Sequence, residues 1–474
     1  MRSDNKRRNV PVSENSPSRP TCAALTRWMA IALFLNAIVL NGLLWLLAPS
    51  NDALAPETRV MLQATESPDL RETVVRYTLN VIRARGGNDS WRGMATALDY
   101  ARAPHTTPLY SEILINRHIK YQYPPSSLFV IAAMQSVDPT RIHVNREYQG
   151  SRPSIDEVLG LFFLAVMALA TAALLELRLR QTQSFTDCHK LVSARFLILI
   201  GITLTFYPIV KGFALGQIQV WLNALFALSL LCWAANWKTT SGVLLGLICL
   251  VKPHYGVFLI WGAVRRQWRF VSACALTGGI GLAVSIAVFG LADHLDYLRA
   301  LALLSERGEV FYPNQSVNGL LNRLVGDPLS NLRFVPDRFP PFHPVVYGGT
   351  LAATALLLAT AIFLHRRRAG AIEFCIMALS VTLAAPIAWE HHYGILLPIF
   401  AVLLANMPDD RRWRIWFLVS FVLASNFFAV TKLLAPTIMN VGQSYLFVAA
   451  VIVLVLLYLL PETIEREREV SACN

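Results

Sequence analysis

Charge is scarce in this chain. Of its 474 residues, 15% are Asp, Glu, Lys or Arg, while 55% are hydrophobic and the mean hydropathy is +0.46. That balance excludes a soluble multidomain protein and belongs to polytopic membrane proteins. Acid is scarcer than base, 30 residues against 42, for a formal net charge of +12. The basic residues sit mostly at the ends of apolar runs, so anionic lipid headgroups suit them better than nucleic acid. Cysteine is sparse too. Cys22, Cys188, Cys232, Cys249, Cys274, Cys375 and Cys473 are scattered, which implies neither a disulfide framework nor a thiolate metal site. No G-x-x-x-x-G-K-[ST] phosphate loop occurs, and with it goes the simplest sign of a nucleotide substrate.

What the chain does have is apolar length. A spanning helix needs roughly 20 mostly apolar residues. Runs near 27–48, 156–177, 196–210, 218–236, 270–291, 346–364, 372–388, 393–407, 414–432 and 443–460 meet or approach that requirement. The stretch 243–263 is interrupted by Lys252-Pro253-His254, and 126–136 is too short to cross, so it reads as re-entrant or interfacial. Ten to twelve spans are expected. Arg2, Lys6, Arg7, Arg8, Arg19 and Arg27 place the N-terminus in the cytoplasm. Arg178, Arg180, Lys190 and Arg195, then Arg265, Arg266 and Arg269, then His365 to Arg368, then Arg411, Arg412 and Arg414 fall on that side. The alternation works if 243–263 enters and leaves from one face, which Pro253 permits by breaking the helix. Residues 1–26 and 461–474 read as cytoplasmic tails around one membrane domain, 27–460, with the first span a retained anchor. Two long loops, 49–155 and 292–345, lie outside.

Polar residues gather at the outer ends of these spans, where ionisable groups line cavities. Trp389-Glu390-His391-His392-Tyr393 forms a tight turn able to hold a phosphate or relay a proton. Asn314-Gln315-Ser316 matches a glycosylation acceptor, or else caps a helix that carries Arg323 towards an anion. Gly216-Gln217 opens a span just after Tyr207-Pro208 and Lys211, adding an amide and a cation. Lys252 sits among apolar residues, suited to pairing or to a lipid phosphate. Asp89, in Asn88-Asp89-Ser90-Trp91, starts a helix whose apolar stripe is Trp91, Met94, Ala95 and Leu98. That stripe suits a helix lying on the membrane. Free N–H groups there favour the ionised carboxylate that a general base must have. Asp69, Asp99, Glu112 and Glu390 are its rivals.

These stretches, with Pro108-Leu109-Tyr110 and Tyr121-Gln122-Tyr123-Pro124-Pro125, occur in an order that resembles glycosyltransferase family 87 over about residues 85–430. The resemblance implies an all-α, polytopic GT-C membrane fold and a hexosyltransferase in the plasma (inner) membrane. Its termini would be cytoplasmic and its site would open on the periplasmic or extracellular face. A polyprenyl-phosphate sugar, mannose or another hexose or pentose, would pass to a hydroxyl of a glycolipid or glycan acceptor, with inversion. The resemblance makes Asp89 the base. His391, His392 and Tyr393 would meet the donor phosphate, with Arg323, Asn314, Ser316, Gln217, Lys211, Tyr123 and Lys252 lining the substrate site. Membrane lipids are expected partners; no cofactor, no metal, no nucleic acid and no obligate protein partner are expected. The alternative is a flippase for a lipid-linked sugar, although the internal repeats common in transporters are not evident.

Overall fold

In hydrocarbon no water can satisfy a peptide group, so a crossing chain must bond to itself. The computed structural model obeys this throughout. It describes residues 21–63, 69–119, 121–142, 153–182, 191–326, 332, 339–364 and 370–460. Among them the chain is helical, with one isolated antiparallel bridge between Asn314 and Trp389. Lys190, Cys188, Cys473, residues 365–368 and most of both tails lie outside the described residues.

Five described helices are long and apolar enough to cross a membrane: Cys22–Ala53, Ile155–Gln181, Trp268–Phe289, Pro344–Leu364 and Ile438–Leu459. A sixth span forms if Val192–Leu204 and Tyr207–Leu215, bent by 54°, are taken together. Shorter apolar helices at Pro125–Val137, Gln219–Ala234, Lys238–Cys249 and Ala371–Ala384 complete the bundle. The protein is therefore a multi-pass membrane protein. Every expected run has its helix, but several are half-length. Ala371–Ala384, for example, is buried along its whole length and faces protein rather than lipid. The tail boundary at residue 26 moves, because helix begins at Cys22 with the Thr21 hydroxyl accepting from the Ala24 N–H at 3.2 Å. Cys22 is disulfide-bonded, whereas Cys232, Cys249, Cys274 and Cys375 are free thiols.

The broken segment is a hairpin. Lys238–Cys249 runs up, Pro253–Gly256 turns in a tight 3-10 helix, and Val257–Val264 returns. Pro253 supplies no N–H to continue the first helix. Both ends of the hairpin meet the same level of the Trp268–Phe289 helix. Gly242 packs so closely on the Phe270 carbonyl that a Cβ there would collide, and Trp261 lies 6.3 Å from the Phe270 ring. The segment thus enters and leaves on one side, with Lys252, Pro253 and His254 at its tip.

Beyond the tip sits a cap of short helices, Val74–Ile82, Asp89–Arg102, Leu291–Arg307 and Val317–Val325. Asp293 and Asp296 tie it together, accepting from the backbone N–H groups of Leu109 at 2.9 Å and Ser111 at 2.8 Å. The Trp91, Met94, Ala95 and Leu98 stripe is buried against the Leu128–Val137 helix. It is a protein-packing face, not a membrane-lying one.

Candidate active site

Asp89 is the first residue of its helix, as its flanking sequence requires, and it is exposed. Its Oδ2 accepts from Gln217 Nε2. Ser90 Oγ donates to Gln217 Oε1 at 2.9 Å, and the Tyr123 hydroxyl reaches the same oxygen at 3.1 Å. Two chain segments 128 residues apart are thereby fixed to one another. Backbone geometry makes this possible. Gly216 ends the Tyr207–Leu215 helix with φ +71°, a left-handed conformation favouring glycine, and it touches Gly87 so closely that any Cβ would strike the Gly87 carbonyl. Gly216→Ala should therefore cost well over ~1 kcal/mol and unseat Gln217 from Asp89. Loss of transfer activity alongside a lower melting temperature in detergent is the expected reading.

From Asp89 a ring of contacts closes on itself. Tyr123 leads through Pro124 and Pro125 to Ser126, whose hydroxyl donates to the Leu250 carbonyl oxygen at 2.5 Å. Leu250 opens the hairpin tip, bringing in Lys252 and His254. Lys252 lies within electrostatic range of His254, His391 and His392. His391 then packs against Gly212, about one turn of helix before Gly216 and Gln217. The acid and the imidazoles are thus both tied to the last turn of the Tyr207–Leu215 helix, Asp89 through Gln217 and His391 through Gly212.

Lys252 is 7% exposed and has no hydrogen-bonding or acidic side-chain partner among the described residues. Burial pushes the pKa of its amine well below the ordinary lysine value, so Lys252 holds a proton best with an anion beside it. The His391 and His392 rings stand 4.9 Å apart at 83°. Burial first, and then Lys252, hold both imidazoles well below their ordinary pKa of 6.5. They meet an anion as neutral N–H donors rather than as cations, and Lys252 is the group there that an arriving anion would recharge. Stability then depends on pH. An unfolded imidazole takes up a proton near pH 6.5 and the folded one does not, so stability is complete above 6.5 and is lost as pH falls through it. Melting temperature in detergent should drop between about pH 7 and pH 5, and the drop should shrink in a His391→Gln/His392→Gln variant.

The other expected donor-site residues divide. Gln217, Tyr123 and Lys252 belong to the ring. Lys211 is buried one step behind it, its Nζ 3.4 Å from the Tyr77 hydroxyl. Asn314, Ser316, Arg323 and Tyr393 act elsewhere, lacing the 309–323 loop to the 386–393 turn. Asn314 Nδ2 donates to the Glu309 carbonyl at 2.8 Å, while its Oδ1 accepts from the Ala388 N–H at 2.9 Å. Ser316 caps its helix through the Gly319 N–H at 3.1 Å and donates to the Pro386 carbonyl at 2.9 Å. The Tyr393 hydroxyl donates to the Gln315 carbonyl. Arg323 spends its guanidinium on the carbonyls of Tyr312 and Asn314 and on Ser444 Oγ, all within 3.3 Å. Burial draws its pKa to about 9, with Glu390 opposing. An arginine so engaged holds the 312–314 turn to Ser444.

The rival acids fare no better. Glu390 is buried and accepts from the Tyr207 hydroxyl at 2.6 Å. Glu112 is engaged by Asn116 and Arg117 at 2.8 Å, which hold its carboxyl below the usual range. Asp99 is about 15 Å further along the Asp89 helix, and Asp69 accepts from the Arg71 N–H at 2.9 Å. Sequence reasoning missed Ser90 and His254. Each was legible only as the neighbour of a chosen residue, in Asn88-Asp89-Ser90 and Lys252-Pro253-His254.

The fold describes a class: multi-pass, all-helical membrane proteins with a polar cap at one end of the bundle. The family is narrower. A sequence profile of glycosyltransferase family 87 matches residues 121–388, and the chain belongs to that family. The match contains Tyr123, Gln217, Lys252 and Arg323; Asp89 and His391 to Tyr393 flank it. A polyprenol-phosphate-mannose-dependent alpha-(1-2)-phosphatidylinositol mannoside mannosyltransferase of Mycobacterium tuberculosis is 29% identical over 46% of this chain and 47% of its own. Its namesake from Mycolicibacterium smegmatis is 28% identical over 44% and 46%. A pentamannoside mannosyltransferase of M. smegmatis, also polyprenol-phosphate-mannose-dependent, is 27% identical over 50% and 53%. The chain spans about half the length of these curated relatives. No solved structure matches it.

Proposed function

We propose that this protein transfers a hexosyl group, mannose in the first instance, from a polyprenyl phosphate to a hydroxyl of a glycolipid or glycan acceptor at the outer membrane face. One observation carries the reading: the end of one helix is tied both to an exposed carboxylate, through Gln217, and to His391, which lies within electrostatic range of the buried Lys252. That is the division of labour which sugar transfer from a phosphate needs. Asp89 takes the proton from the acceptor hydroxyl as its oxygen bonds to the anomeric carbon. The bond from that carbon to the phosphate oxygen breaks, and its electron pair leaves with the phosphate. Lys252 meets the growing charge, with His391, His392 and His254 as neutral donors. Gln217, shared by Asp89, Ser90 and Tyr123, sets the carboxylate's direction. Attack opposite the leaving phosphate inverts the anomeric centre. The relatives' names support a mannosyl donor and a phosphatidylinositol-type acceptor.

The test is transfer of labelled mannose from a short-chain polyprenyl phosphate mannose to extracted membrane lipids by purified protein. A labelled lipid product is expected. Donor binding with no product under any acceptor would sink the transferase reading in favour of a flippase.

A further inference from the structure

Far from the Asp89 ring, at the end of the bundle where the basic clusters lie, an open apolar groove runs between the first helix and the Val192–Leu204, Leu396–Asn406 and Arg411–Ser425 helices. Met29, Leu199, Phe400, Leu404, Phe417 and Phe421 typify its lining, and the charged residues in it are Asp409 and Arg414. These two form a loose pair at 3.7 Å, and the Arg414 guanidinium lies 5.5 Å over the Trp28 ring. Asp410 is occupied in capping the Arg412 N–H at 2.7 Å. Arg27, Arg411 and Arg412 are exposed, and their guanidinium groups have no partner among the described residues. Arg27 adjoins the lining residue Trp28, and Arg411 and Arg412 lie within a turn of Arg414 on its helix, so four arginines stand against two aspartates at this end of the groove.

We propose that this groove is a phospholipid site: one acyl chain lies in the groove, and an anionic headgroup phosphate rests on the arginine rim. Complementarity of shape and charge supports the assignment. An apolar trough within spanning helices suits a hydrocarbon chain, and an excess of cations at the headgroup level selects for negative charge. The Trp28 and Arg414 stack holds one guanidinium in place, so the rim is partly preorganised. Nothing in the transfer chemistry calls for this site, and it stands whether or not that reading does.

The experiment is native mass spectrometry of the purified full-length chain, equilibrated with equal amounts of phosphatidylglycerol and phosphatidylcholine of the same chain length. One retained lipid per chain is expected, with phosphatidylglycerol favoured. Arg411→Gln and Arg412→Gln should each lower that preference about fivefold, as expected for a near-surface cation. Ala32→Phe, which fills the groove from the first helix, should abolish retention while leaving the charge rim intact. Equal retention of the two lipids, no retained lipid, or a preference untouched by the arginine variants would overturn the proposal. So would undiminished retention in a monodisperse Ala32→Phe protein.

Discussion

Asp89→Asn should lower turnover by about 10²–10⁴, the usual worth of a positioned general base, while leaving donor affinity and melting temperature close to wild type. The first part follows from the proton that the acceptor hydroxyl must lose, which an amide cannot take. The second follows from position. Asp89 is exposed at the first turn of its helix, and an asparagine side chain keeps a hydrogen bond to Gln217 within reach. Little native packing is therefore lost. Steady-state transfer and equilibrium donor binding, measured on one preparation, separate the two effects. Turnover within tenfold of wild type would remove Asp89 from the chemistry. Loss of donor binding together with turnover would make it a structural anchor for Gln217. A flippase would give no transfer in either protein and equal donor binding in both, because no proton leaves its cargo.

How much of the fold and site is legible in the sequence depends on the range of the interaction involved. Hydropathy locates every described span, because transfer into lipid is a local sum over side chains. Pro253 announces the broken hairpin for an equally local reason, and Ser316 announces its cap. The signal fails where a residue's partner lies far off in sequence. Arg323 looks like an anion ligand in isolation, yet its guanidinium meets backbone carbonyls at 312 and 314 and a serine at 444. Tyr393 groups with its histidine neighbours along the chain, but its hydroxyl turns to Gln315. The apolar stripe from Trp91 to Leu98 is visible; whether lipid or protein covers it is not, since both reward the same pattern. His254 draws no attention, because Lys252 and Pro253 alone explain a helix break. Only the folded tip places all three beside the 391–392 turn.

Lys252→Gln carries the sharper test, because activity and stability should move in opposite directions. The Lys252 amine is buried within electrostatic range of His254, His391 and His392, has no carboxylate paired with it among the described residues, and is held well below its ordinary pKa by burial. Keeping a charge there without an anion opposes folding, so the neutral amide should leave melting temperature unchanged or raise it. Phosphate binding should suffer twice. The donor loses its charge partner in the ground state, which raises KM. The leaving phosphate loses more as its charge grows, which should lower kcat by about 10²–10³. Lys252→Arg would keep the charge but bring a planar fork into a space shaped for a compact ammonium, and should recover only part of the rate. A Lys252→Gln protein that melts lower and transfers normally would mean that the lysine serves the hairpin fold. One that melts at least as high and fails to transfer would place the phosphate at the tip of the hairpin.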